Sequence, residues 1–316
     1  MLLIGSDDGV YRLPVSDGTT PTTKVLDSGR VKRLETFEGV DGAFAATETG
    51  LYRTRDGDRW TDLGVPEGEV YSVGAGGDGE RLYAGTRPAH VYVTESVGAD
   101  DVEWRECRGF QELPSREEWG LERHDYVSQV RDVRPDPATP DRLVAGVEVG
   151  GVHVSKDGGE TWSDRADGVH DDVHELRVVE PGTYVAATGF GLFRSADAGR
   201  TWTRLDDEVP QRYFRSVCAV DGVVYAGSAL KNSSTWDDPD ADPALFAVDD
   251  GSLEPVPIPR DDETVTGMTV VGGDLLVATH RGSLFRRDDG GWTDLGTFPV
   301  DEDVTGRYTP VTTFEA

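Results

Sequence analysis

At 316 residues and 34.3 kDa the chain can hold two ordinary domains or one large all-β domain, and internal repeats decide between them. Its 60 acidic against 31 basic residues give a formal charge of −29 and a pI near 4.4, which excludes a nucleic-acid partner because phosphate binding needs a basic footprint. Two cysteines far apart, Cys107 and Cys218, with no CxxC pair, exclude a disulfide scaffold and indicate no zinc site.

The chain opens on MLLIGSDDGVY, whose apolar run is too short for a leader or a membrane span and reads as a first strand. The same kind of strand returns as AFAATE, RLYAGT, RLVAGV, TYVAAT, VVYAGS and DLLVAT, each followed by a short glycine-containing loop and a second strand. In that second strand a ring follows an aliphatic residue, at Tyr11, Tyr52, Tyr92, His153, Phe193, Phe246 and Phe285. The anchors are spaced by 41, 40, 61, 40, 53 and 39 residues, so the period is near 40 with two insertions. A third strand carrying TW or EW follows, then alternating β-branched runs such as DVHELRVV, YFRSVCAV and TVTGMTVV. The last segment, VTGRYTPVTTFEA, has the character of these runs. The expected fold is all-β: a seven-bladed β-propeller of four-stranded antiparallel blades spanning 1–316, closed by the C-terminal strand pairing into the N-terminal blade.

Two stretches, SKDGGETW (155–162) and SADAGRTW (195–202), fit the pattern S/T-x-D-x-G-x-T-W, the Asp-box. With them the chain resembles the BNR-repeat β-propellers, a group that includes sialidases, sortilin-type receptors and photosystem II assembly factors. Units two, three and seven carry shortened or stretched versions (TRDGDRW, TESVGADDVEW, RDDGGW), and units one and six lack the tryptophan. A structural role is expected for the box. Gly159 and Gly199 can take positive φ, Asp157 and Asp197 accept hydrogen bonds from turn amides, the Thr161 and Thr201 hydroxyls brace the turn, and Trp162 and Trp202 bury their rings between sheets. The resemblance places these turns at the periphery, away from the face where ligands bind.

In a propeller the loops joining strands two and three emerge on the same face as those leading from strand four into the next inner strand. We call this the upper face. Both insertions fall there, RGFQELPSREEWGLERHD (108–125) and ALKNSSTWDDPDADP (229–243), and they carry Trp119 and Trp236, the two tryptophans that the repeat does not explain. His90, His124, His170, His174 and His280 map to the same side, whereas His153 holds the repeat's ring position and is expected in the core. Reading the inner strands in register puts Lys32, Tyr71, Ser128, His174, Arg215 and Val265 at the channel mouth, with Asp7, Glu48, Arg87, Glu148 and His280 at the ends of the second strands. Loops bring Trp119, His124, Asp171 and Tyr213 over them, making a mixed-charge cup with aromatic walls suited to a small polar or sugar-like ligand.

Within VHDDVHE, His170, Asp171, Asp172 and His174 are metal-ligand types, although a solvated loop is the commoner cause of such a run, and no cofactor is implied. Glu148 with Asp171 is a carboxylate pair of the kind that hydrolyses glycosides. Sialidase activity is disfavoured: family sialidases carry Tyr/Phe-Arg-Ile-Pro near the N-terminus, and Thr86-Arg87-Pro88-Ala89 departs from it and lies in unit three. The expectation is a cytoplasmic, monomeric propeller, without membrane partner, that binds a small polar ligand or a protein partner through its inserted loops. The alternative is a glycoside hydrolase or lyase using the His and carboxylate cup.

The acids are spread along the whole chain and only four residues are lysine, an acid-rich surface that looks like those of proteins from salt-accumulating halophiles. Concentrated salt shortens the Debye length from about 8 Å at 0.15 M to about 3 Å at 1 M and so screens the self-repulsion. The melting temperature is therefore expected to rise between 0.1 and 2 M KCl, a trend that calorimetry checks. A flat dependence would contradict the halophile reading.

Overall fold

The computed structural model describes all residues except 15–21, 77–78, 100–101, 123–124, 250, 302, 304–306 and 316. They form seven four-stranded antiparallel sheets. Blades 2 to 7 each run from inner to outer strand in chain order, beginning with Val31–Phe37, Glu69–Ala75, Gln129–Asp136, Val173–Glu180, Tyr213–Val220 and Val265–Val271. Blade 1 takes its inner strand, Val311–Thr313, from the C-terminus, pairing Leu2 with Thr313 and Ile4 with Val311. That strand is shorter than the sequence suggests, because Pro310 has no N–H to donate. Its carbonyl still accepts from Gly5 at 2.8 Å. Among the described residues no helix is long and apolar enough to cross a membrane.

The apolar residues divide into clusters that each fill the gap between two neighbouring blades, as alternating strands with both faces covered require. Close approach depends on the small residue before each second strand's end. A Cβ on Gly227 of blade 6 would lie 2.5 Å from the Val265 carbonyl oxygen of blade 7, so glycine lets the sheets meet. The two cysteines are unpaired and buried, which pushes Cys107 up to about 12 and Cys218 to about 11.

Each Asp-box turn is a closed set of local hydrogen bonds. Asp157 accepts from the Thr161 amide (2.9 Å), the Thr161 hydroxyl (2.5 Å) and the Ser155 hydroxyl (2.9 Å), while the Gly159 amide donates to Ser155 Oγ (2.9 Å). Asp197, Thr201, Ser195 and Gly199 repeat the arrangement. Gly159 and Gly199 have φ of 96° and 79°, and Trp162 and Trp202 pack into the gaps between blades 3 and 4 and blades 4 and 5. Burial raises the Asp157 carboxyl, but the hydrogen bonds from Thr161 and Ser155 outweigh it and the pKa lies below the usual value. The stabilisation from this carboxylate is thus present above the ordinary Asp range and lost as pH falls through the depressed value. Asp157→Ala is expected to cost about 1 kcal/mol by urea unfolding, since Asp157 and Thr161 are exposed and water can replace part of the set.

Candidate functional site

Every inner strand of blades 2 to 7 carries a register shift near its start: between Val31 and Arg33, Val70 and Ser72, Val130 and Asp132, Val173 and Glu175, Phe214 and Ser216, and Val265 and Gly267. A bulge leaves one residue out of the ladder and re-aims its side chain. The residues so released are Lys32, Tyr71, Arg131, His174, Arg215 and Thr266, and they ring the upper mouth of the channel. Two positions therefore correct the in-register reading. Ser128 lies before its strand, bonded to the Val149 carbonyl (3.2 Å), and Val265 is packed in the core between blades 6 and 7. Arg131 and Thr266 stand in their places.

Tyr308, from the irregular stretch before the last strand, lies across this ring. Its hydroxyl accepts from Arg131, and its ring centroid is 4.4 Å from the Arg131 guanidinium and 4.2 Å from that of Arg215. Lys32 sits 4.8 Å from the Tyr71 ring and 3.3 Å from each of Glu48 and Glu69. An arc of packed, largely buried rings runs outward from His174: His174 against Tyr213 (4.5 Å), Tyr213 against Trp236 (6.0 Å), Trp236 against His280 (5.5 Å). Burial pushes the Tyr213 phenol up to about 12 and holds His280 below the usual histidine range.

Below the ring the channel is closed by charge. Arg33 bonds Asp132 (2.9 Å) and Glu175 (2.8 Å), Arg134 bonds Asp132 (2.8 Å) and Glu35 (2.6 Å), and Arg177 bonds Glu35 (3.2 Å) and Glu175 (2.5 Å). The six alternate in sign around a closed loop and join blades 2, 4 and 5 across the axis. The cavity between the ring and this loop holds only about 20 Å³ of free space, room for about one water, and the channel widens again on the far side into a cavity of about 330 Å³ lined by Glu35, Arg177, Cys218, Met268 and Val311.

The other predicted residues are distributed as follows. Arg131 Nη1 donates to Glu148 at 2.6 Å, and the carboxylate beside His174 is Asp172, at 3.5 Å from Nε2; Asp171 is exposed. Burial raises Asp172, but the His174 hydrogen bond and the nearby charges of His174 and Arg131 outweigh it and bring it down to about 2. Arg87 stands at the rim, 3.8 Å from Glu69. His90 is held away from the mouth by Glu106 (2.7 Å) and Gln111 (3.2 Å) and stacks on Tyr92. His170 accepts from the Asp172 amide (3.2 Å) and lies beside Phe190. His124 falls outside the described residues. Trp119 does not reach the cup: it is buried among Phe110, His153 and Trp162, with its indole N–H on Ser115 Oγ, because residues 108–119 of the insertion fold down onto blades 3 and 4. Trp236 is buried as well, packed between Tyr213 and His280. Tyr126 and Phe190, 66% and 50% exposed, stand on upper-face loops.

No protein-family model matches the chain, and no curated protein matches it. Its fold is similar to that of the GH74 xyloglucanase from Xanthomonas campestris, at 19% identity and a TM-score of 0.60, over 84% of this chain and 45% of that one. It is also similar to YCF48 bound to D1 peptide (16% identity, TM-score 0.59, 84% of this chain and 81% of that one) and to the WD40 β-propeller domain of Doa1 (10%, 0.57, 95% and 88%). The likeness is one of fold. The chain spans less than half the length of the GH74 proteins, and an enzyme and proteins of other kinds share the architecture.

Proposed function

We propose that the protein is a non-catalytic recognition propeller of the Asp-box type that binds a segment of a protein partner across its upper face. The observation that carries this reading is the closed mouth: with the ionic loop beneath and Tyr308 across it, the described residues of the upper face offer a plate and not a pocket. Two large exposed rings, Tyr126 and Phe190, flank that plate, and rigid aromatics at the edge of a charged surface suit a peptide. The similar YCF48 is a propeller seen with a peptide, which agrees with this mode.

The glycosidase reading has one specific observation in its favour. Burial raises the Asp7 carboxyl, while Glu48 lies below its usual value: burial raises it too, but the Arg30 amide and Lys32 outweigh that. Arg30 Nε lies 3.6 Å from Asp7 and 3.9 Å from Glu48. Two carboxyls pushed apart in pKa are what an acid and a base require. Asp7, however, is covered by Arg307 (3.4 Å) and takes the Asp301 amide, so no glycosidic oxygen reaches it.

A peptide array probed with the full chain separates the two. Binding of a subset of peptides should fall about 30-fold or more in Phe190→Ala or Tyr126→Ala, as truncation of a hot-spot ring typically costs about 2 kcal/mol or more, and should persist in Asp157→Ala. Hydrolysis of a xyloglucan oligosaccharide that disappears in Asp7→Asn would establish the enzyme instead.

A further inference from the structure

We propose that Glu148, Asp172 and His174 form a binding site for one divalent first-row transition-metal ion at the edge of the mouth. This site stands independently of the recognition reading. One donor atom from each residue lies within 4.8 Å of the other two. Ligand atoms at about 2.1 Å from one tetrahedral ion are about 3.4 Å apart, so closing the site needs shifts of about an ångström in the Glu148 and Asp172 carboxylates. The three come from different places: Glu148 ends the second strand of blade 4, whereas Asp172 and His174 flank the start of blade 5. No local turn explains their meeting.

The second observation is the fixed orientation of the imidazole. His174 is 2% exposed and its Nδ1 lies 2.8 Å from the Phe214 carbonyl, a contact that needs the proton on Nδ1. Nε2 then faces a carboxylate oxygen of Asp172 at 3.5 Å, with a Glu148 carboxylate oxygen within 4.8 Å of both. That gap is filled by a proton on Nε2 or by a metal ion. A buried N–H to a backbone carbonyl is also the usual outer support of a metal-bound histidine. A proton on Nε2 would satisfy Asp172 alone, whereas a metal also uses the Glu148 oxygen that Arg131 leaves open.

Arg131 moderates the site. It engages one oxygen of Glu148 at 2.6 Å and leaves the other for an ion, and it reduces the site's negative charge to about one, so the affinity should be lower than that of a structural zinc centre. One imidazole with two carboxylates suits Zn²⁺, Co²⁺ or Ni²⁺. Mg²⁺ and Ca²⁺ want six or more oxygens.

The experiment uses the full chain stripped with EDTA and dialysed against Zn²⁺ in excess Mg²⁺, which occupies weak surface carboxylates. One Zn²⁺ per chain is expected, with Co²⁺ giving a visible d–d spectrum of nitrogen and oxygen ligation. Affinity should fall at least tenfold in His174→Ala and in Asp172→Asn and be unchanged in His90→Ala, since His90 is held away from the mouth. If His174→Ala does not fold, Glu148→Gln, at a half-buried position, decides. No stoichiometric uptake by the unaltered chain would overturn the site, as would uptake equal in the folded variants, which would assign the metal to surface acids.

Discussion

Deletion of residues 307–316 is expected to abolish cooperative melting and leave an aggregating chain. The deletion removes the inner strand of blade 1, so Leu2–Gly5 becomes an open edge along the channel. It also takes Val311 and Phe314 out of the clusters that join blade 1 to blades 7 and 2, each worth roughly 1.5–3 kcal/mol when fully buried. The chain ends are tied further by the Met1 ammonium on the Phe314 carbonyl (2.8 Å) and the Phe314 amide on the Met1 carbonyl (2.9 Å). Because a propeller is a ring, opening one blade also releases its two neighbours. Scanning calorimetry and light scattering read both effects. A truncated chain that melts sharply at an unchanged temperature would mean that blade 1 is not needed to close the ring.

The blade count and the closure were legible because their signals are periodic. A ring in the strand after each LLIGS-like run, and a β-branched tail that fits nowhere else, suffice to assign them. The mouth was legible only in part. Lys32, Tyr71, His174 and Arg215 were read from register, but a bulge is a change of phase that leaves no mark in residue type, so the same reading gave Ser128 for Arg131 and Val265 for Thr266. Trp119 and Trp236 look alike in sequence, each an indole in a polar insertion. Both become buried and differ in place: Trp119 fills the gap between blades 3 and 4, whereas Trp236 packs against Tyr213 and His280.

The ionic loop left a signal that counting charges along the chain does not reveal. In RLE (33–35), DVR (132–134) and ELR (175–177), opposite charges alternate across a single apolar residue in strands that must be buried. Charges two apart in a strand share a face. When that face is the axis of a propeller, the charges pair along their own strand, as Asp132 with Arg134 and Glu175 with Arg177, and with those of other blades, as Arg33 with Asp132 and Glu175.

Asp132→Asn tests what that loop contributes, and a loss of about 3–5 kcal/mol is expected. Asp132 is fully buried, bonds Arg33 (2.9 Å) and Arg134 (2.8 Å), and accepts the Leu176 amide at 2.8 Å. Neutralising it leaves two guanidiniums buried with one surplus positive charge, and that uncompensated charge, not the lost attraction, sets the cost. Adding Arg134→Met removes the surplus, so the double variant should be more stable than the sum of the single changes by more than 1 kcal/mol. Acid should act in the same direction. Burial raises Glu35, but Arg134 and Arg177 outweigh it and hold it at about 2 against an ordinary 4.5. Its contribution is thus complete above about pH 4.5 and lost as pH falls towards 2. Urea unfolding at fixed KCl measures all three. A loss below 1 kcal/mol for Asp132→Asn, or strict additivity in the double variant, would show that water reaches the axis and screens the loop.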